Sequence, residues 1–207
     1  MAGPDKLDSR ERILAAAEAE FLARGYDRAR TQAIADEAGI NKALLHYYFG
    51  SKDELFAEIF REKTKLLFPR VEALLGEHDS FVEFACAFVD VYVAHLIANP
   101  FLPSYLLQIA MNHPELLAQV PNDFARKFVR AFEAAVRSKA IAPHDPHQFI
   151  VTMIGMCVMP FVGRNLIRHM LGLDERAFEA FLKGRAEEIK RCVVQLLTPT
   201  PRPAKRR

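Results

Sequence analysis

Two short helices joined by a tight glycine turn constrain this chain more than any other feature. Residues 32–38 place Ile34, Ala35 and Ala38 at helical spacing, with Thr31 as the expected N-cap. Gly39 ends that segment, Ile40 packs in the bend, and Asn41 caps a second short helix reaching Tyr48. Two short helices around a glycine-containing turn form the helix-turn-helix pattern. At about 100° per residue, Leu45 and Tyr48 fall beside Asn41 on the side facing the core, while Lys42, Ala43, His46 and Tyr47 spread over the opposite side.

That outer set suits a nucleic-acid surface. Lys42 reaches a phosphate or a guanine edge, Ala43 admits close approach and offers a methyl to thymine, and His46 and Tyr47 hydrogen-bond to phosphates or base edges. Thr31 and Lys52 stand at helix starts, where exposed backbone N–H groups also bind phosphate oxygens. Spacing alone leaves open a small helical subdomain whose polar face meets only water.

The rest of the chain is written in the same period, without a sustained alternating run, so an all-α fold of about nine helices is expected. The first helix opens at Asp8, with Glu11 completing a capping box; Ile13, Leu14, Ala17 and Phe21 line one face, and Gly25 stops it. After Phe49-Gly50, Ser51 caps a helix using Leu55, Phe56, Ile59, Leu66 and Leu67, with Pro69 disturbing its end. Ser80 and Glu83 form a second capping box opening a helix to Ala98, and Pro103 starts another ending near Asn112. Residues 122–140 carry Phe124, Phe128, Phe132 and Val136 on one stripe. Asp145-Pro146 opens a long apolar helix to Leu171, which Gly155 and Pro160 should bend, and Asp174 opens the last helix, to Leu197.

From Arg10 to Phe68 the sequence resembles the N-terminal domain of the TetR (tetracycline-repressor-like) family of bacterial regulators. The resemblance rests on Ile13-Leu14-Ala15-Ala16-Ala17, Phe21, Gly25-Tyr26, Thr31, Ile34-Ala35, Ala38-Gly39-Ile40, Leu45 and Tyr47-Tyr48-Phe49-Gly50-Ser51-Lys52, followed by Glu54-Leu55. It implies an α-helical homodimer with one recognition helix per subunit in successive major grooves of a palindromic double-stranded DNA operator. It further implies a variable C-terminal half that binds small molecules. Thr31, Asn41, Lys42, Ala43, His46, Tyr47 and Lys52 are the expected DNA-binding residues. Many relatives carry glycine where this chain has Ala43 and tyrosine where it has His46. The domains expected are a DNA-binding domain over 8–68 with its motif at 30–49, a helical effector-binding and dimerisation domain over 69–198, and a basic disordered tail over 199–207.

Beyond Val71 the resemblance is architectural. Phe84, Phe88, Tyr92, His95, Tyr105, Phe128, Phe132, Met153 and Met156 are candidates for an apolar effector pocket, although the same stripes describe an ordinary core. Phe149, Ile150, Cys157 and Phe161, with Phe178, Leu182, Ile189 and Val193, form two apolar faces expected to pair across a two-fold axis as a four-helix bundle. The leading expectation is a repressor released from its operator by a small, largely apolar effector. The alternative is a DNA-binding adaptor governed by a protein partner.

Charge and composition add exclusions. The net charge is +2, yet Arg202, Lys205, Arg206 and Arg207 supply four positive charges at the tail, and residues 1–60 hold eight Lys and Arg against eleven Asp and Glu. Bulk electrostatics therefore do not argue for nucleic acid; only the direction of single side chains can. The N-terminus is polar, and the longest apolar run read from the sequence, 149–162, is shorter than the ~20 residues that span a bilayer, so a cytoplasmic protein without membrane contact is expected. Cys86, Cys157 and Cys192 lie far apart among apolar residues and read as reduced core thiols. His144 and His147 sit beside Pro143 and Pro146 with no accompanying cysteine or carboxylate cluster, no metal or cofactor is expected, and no catalytic constellation stands out.

Overall fold

The computed structural model describes residues 4–65, 67–112, 114 and 123–199, so the basic tail beyond Pro199 and the stretch around Asn122 lie outside the described residues. Among the described residues there are eleven helices and no strand. The two helices beyond the nine expected arise from breaks that periodicity alone bridges. The chain divides into two compact units: residues up to Lys65 together with Ser104–Val120, and the remainder.

The first unit is built on α1 (Pro4–Arg28), α2 (Thr31–Glu37), α3 (Lys42–Phe49) and α4 (Lys52–Thr64). Helix α1 begins at Pro4, not at Asp8, and buries Ile13, Ala17 and Phe21 on one face. Gly25 does not end it cleanly; its φ of 73° and ψ of 165° kink the helix, which resumes through Arg28. That backbone is open to glycine and costly for other residues. Thr31 is the first residue of α2 rather than its cap. Arg30 holds the cap position without a side-chain bond, and its own N–H donates instead to Glu20 Oε1 of α1 at 3.2 Å. Asn41 caps α3 by accepting from Leu44 N at 2.8 Å, and Ser51 with Glu54 completes a reciprocal capping box on α4. Ile34, Ala35, Leu45 and Leu55 are fully buried where these helices meet.

Helix α4 stops at Thr64, and Pro69 sits in the first turn of a separate α5 (Leu67–Glu77), where a missing N–H costs nothing, so it helps open a helix instead of ending one. Leu66 lies outside the described residues. The second unit continues with α6 (Phe81–Ala98), α8 (Asp123–Arg137), α9 (Pro146–Val162), α10 (Arg164–Leu171) and α11 (Glu175–Leu197). Helix α7 (Leu102–Asn112) crosses the boundary: its first two residues belong to the second unit and the rest, from Ser104, to the first.

At the centre of the second unit, α6 packs against α5, α8, α9 and α11. Its 18 residues have a mean hydropathy of 1.8, long and apolar enough to cross a membrane, so the 149–162 run is not the stretch that most resembles a span. Here the composition serves a core instead: Phe84, Phe88, Val89, Val93 and Leu96 are all buried. Each such side chain contributes roughly 1.5–3 kcal/mol. By contrast the ion pairs from Lys190 to Asp90 at 2.9 Å and Glu187 at 2.7 Å lie at the surface and add at most ~1 kcal/mol each. Apolar packing, not charge, joins α6 to α11.

The long apolar helix breaks at Gly163, with a 77° bend between α9 and α10, rather than at Gly155 or Pro160. Proline 160 lacks the N–H that would bond Met156 O, and Arg185 Nη2 from α11 donates to that carbonyl at 3.4 Å in its place. Gly155 faces open space, whereas a Cβ at Gly163 would come within 3.1 Å of Met159 O. At the other end, Asp145 and Asp174 cap α9 and α11 by accepting from Gln148 N at 2.8 Å and Ala177 N at 2.7 Å. His144 donates from Nε2 to Leu196 O at 2.7 Å, satisfying a last-turn carbonyl of α11. Cys157 is buried, while Cys86 and Cys192 are only half-buried.

Candidate nucleic-acid interface

The face expected to meet DNA is built by burying its opposite side. Leu45 is 0% exposed and Phe49 7%, so α3 is anchored from two positions four residues apart. Tyr48 is half-buried beside them. Lys42, Ala43 and His46 are exposed on the other side, and Tyr47 is 75% exposed, its ring meeting that of Tyr48 edge-on at 5.7 Å. Asn41 is exposed with its side-chain oxygen already given to Leu44 N, so its role in the structure is to cap. Thr31, half-buried at the first position of α2, stands where backbone N–H groups remain unpaired within the helix.

Lys52 departs from its expected role. Its Nζ donates to Tyr26 O at 2.8 Å and to Ala29 O at 3.3 Å, and lies 4.3 Å from the centre of the Tyr26 ring. The ammonium ties the start of α4 to the corner between α1 and α2, and two of its three donors point into the protein. In sequence, a lysine just after a helix cap has the appearance of a phosphate contact; the carbonyls this one serves lie more than twenty residues away in the chain.

The same corner is held from a side that no local pattern announces. Tyr26 N donates to Gln108 Oε1 of α7 at 3.2 Å, and Tyr105 of α7 stacks on Phe56 and donates its hydroxyl to Phe56 O at 2.6 Å. Burial, reinforced by the Glu18 carboxylate, raises the Tyr105 phenol above its ordinary range, so the hydroxyl keeps the proton it donates. Tyr105 therefore belongs to the first unit and does not join the other expected pocket residues. Arg10, absent from the expected set, pairs with Glu58 and sits 5.7 Å from the centre of the Phe49 ring, beside a polar cleft of about 430 Å³ under the end of α3.

In the second unit Phe84, Phe88, Phe128, Phe132 and Met153 share one core, with Tyr92, Met156 and Phe124 packed at its edge. Their rings touch: Phe88 and Phe124 stack at 5.9 Å, Phe128 and Phe132 at 6.2 Å. His95 is half-buried on α6. Burial, helped by the nearby Cys157, pushes the Tyr92 phenol up to about 12. A cleft of about 440 Å³ opens beside α5, α6 and α8, and Phe84 alone of the expected set lines it, with Phe81, His78 and Ser138 among its other walls.

The residues expected to pair two copies point inward instead. Phe149, Cys157, Phe161, Phe178, Leu182, Ile189 and Val193 are buried within one chain, and Ile150 packs partly buried against them. The outward face of α9 carries Val151 at 68% exposure and Met159 at 50%, with Gly155 between them.

Comparison with known proteins bears on the first unit most directly. The profile of a family described as bacterial regulatory proteins, tetR family, matches residues 13–59, the span that holds α2, α3 and the turn between them. Over those residues the chain is similar to the TetR family. The HTH-type transcriptional repressor SCO4008 of Streptomyces coelicolor is 44% identical over 63 residues, which cover 30% of this chain and 33% of that protein. The HTH-type transcriptional regulator YdgC of Bacillus subtilis is 35% identical over 72 residues, covering 35% of this chain and 37% of its own. The matched part thus spans only about a third of these relatives. Over nearly the whole chain, the fold is that of solved TetR regulators. The TetR-family transcriptional regulator PfmR of Thermus thermophilus aligns with a TM-score of 0.67 at 22% identity, covering 87% of this chain and 97% of that one. The fatty acid degradation regulator FadR of Bacillus halodurans aligns with a TM-score of 0.63 at 18% identity, covering 91% and 96%.

Proposed function

We propose that this protein is a cytoplasmic, homodimeric transcriptional regulator that binds a near-palindromic operator through the exposed face of α3 and is released by a small, largely apolar effector. The observation that carries the reading is the polarity of α3 in a TetR-type domain: Leu45 and Phe49 held inside, Lys42, Ala43, His46 and Tyr47 outside. Lys42 supplies the phosphate or guanine contact, Ala43 the close approach, and the two rings the base-edge and phosphate bonds. Thr31 adds phosphate contacts from the start of α2. Two α3 helices about one DNA turn apart, ~34 Å, would read both halves of the site.

The second copy is proposed to pack on the outward faces of α9 and α11, with Val151, Met159 and Val162 on one helix and Ala177, Ala180 and Gly184 on the other, all exposed. Small residues let helices approach closely, and the two pairs make a four-helix bundle. Helix α7 is the proposed lever. Its Tyr105 and Gln108 hold α4 and the α1–α2 corner, so an effector that displaces α7 changes the support of α2 and α3.

Fluorescence anisotropy on duplexes selected from genomic fragments tests the reading. Specific, salt-sensitive binding lost in a Lys42→Ala/Tyr47→Ala double variant that still dimerises supports it, and indifference to every duplex at moderate salt overturns it. A second reading, an adaptor governed by a protein partner, is favoured by one observation: the expected pocket rings lie in mutual contact. Thermal shifts with an apolar compound library separate the two, since the adaptor gives none.

A further inference from the structure

The His46 ring is fixed in a way that gives it a single polarity. His46 Nδ1 lies 2.6 Å from Gly50 O, while Gly50 N donates back to His46 O at 2.8 Å. Two bonds of opposite sense therefore fasten residue 46 to residue 50 across the end of α3. They depend on Gly50, whose φ of 66° and ψ of −75° turn its carbonyl toward the helix in a conformation that disfavours side chains.

A carbonyl oxygen can only accept, so the proton in that bond belongs to Nδ1. A neutral imidazole carries one N–H, so with Nδ1 protonated, Nε2 is an acceptor and nothing else. A tyrosine hydroxyl in this place would both donate and accept, and would suit any base edge or a phosphate. The histidine suits fewer partners. In the major groove, donors come from the amino groups of adenine (N6) and cytosine (N4); guanine and thymine present acceptors at the corresponding positions, and phosphate oxygens accept as well.

We infer that His46 is a specificity-determining residue that, by accepting at Nε2 from an exocyclic amino group, selects which strand carries adenine or cytosine at its place in the operator. The inference rests on the DNA-binding reading above and adds the class of base read. His46 is exposed on the same face as Lys42 and Tyr47, the surface offered to DNA in that reading.

Selection from a random duplex library by the full-length protein and by the His46→Ala variant tests it. The wild type should hold one base pair per half-site to a fixed identity and strand orientation where the variant is indifferent. Replacing the adenine or cytosine of that pair by its analogue without the amino group, purine for adenine or pyrimidinone for cytosine, should weaken wild-type binding roughly threefold to tenfold and leave the variant unmoved. Wild-type binding that is unmoved by removing the amino group from either strand, or an equal loss in both proteins, overturns the inference while sparing the DNA-binding reading; failure of both proteins to retain any duplex overturns that reading and this one together. Independently of DNA, ¹⁵N spectra of the free protein should show His46 protonated on Nδ1 when neutral, and a proton on Nε2 would refute the premise.

Discussion

Replacing Lys52 by methionine keeps the length and much of the apolar bulk of the side chain and removes its charge and donors. Two hydrogen bonds are lost, one at 2.8 Å to Tyr26 O and one at 3.3 Å to Ala29 O, together with the contact to the Tyr26 ring. A charge-assisted hydrogen bond contributes ~1.5–3 kcal/mol, and the longer one adds little. The ring contact adds ~0.5–1 kcal/mol, and the lysine is half-exposed, which discounts all of these. The expected loss is about 2 kcal/mol, or roughly 4–8 °C in the melting transition of a chain this size. Thermal melts by circular dichroism read that loss, and operator affinity measured over a range of salt reads the other half. A lysine used inside the protein leaves the salt slope as it was, even if affinity falls because the corner loosens. A lysine placed on a phosphate does the reverse: melting is unchanged and the slope falls by ~0.9. That second pattern would refute the structural role assigned here.

Two further outcomes follow from the second unit. Val151→Asp with Met159→Asp should leave helix content intact and turn the dimer into a monomer in light scattering, because both side chains are exposed on α9; Cys157→Ala, by contrast, should lower stability without changing the oligomer. Burial pushes the Cys157 thiol from 9.0 up to about 12, so above pH 9 the unfolded chain releases a proton that the folded chain retains. The stabilisation is complete below the unfolded value and is lost as pH rises through the folded one. Denaturant midpoints should therefore show the gap between wild type and Cys157→Ala narrowing between about pH 9 and about 12.

Local signals are legible in the sequence and distant ones are not. Asn41, Ser51, Asp145 and Asp174 cap the helices they are expected to cap, because a cap is decided by residues three positions away. Thr31 falls one position from its expected place because the amide at the true cap, Arg30, is served by Glu20 from another helix. Pro160 is expected to bend its helix, and the bend falls at Gly163 because Arg185 from α11 bonds the carbonyl that the proline leaves open. Periodicity groups Phe149 with Cys157 and Phe178 with Ile189 on shared faces, yet a face does not state what covers it, and α6 covers these. Tyr105 lies in a helix whose ends fall in different units, something no window of sequence reveals. At the candidate DNA face, angular spacing suffices for Leu45 against Lys42 and Tyr47; the fixed tautomer of His46 needs the Gly50 carbonyl in place.

A photo-reactive phenylalanine analogue carried at position 47, a 75% exposed ring of α3, gives the most direct trial of the whole account. Irradiated on a selected duplex, it should cross-link to bases in each half-site with a two-fold pattern. Cross-links confined to protein, from a complex that still binds that duplex specifically, would contradict it.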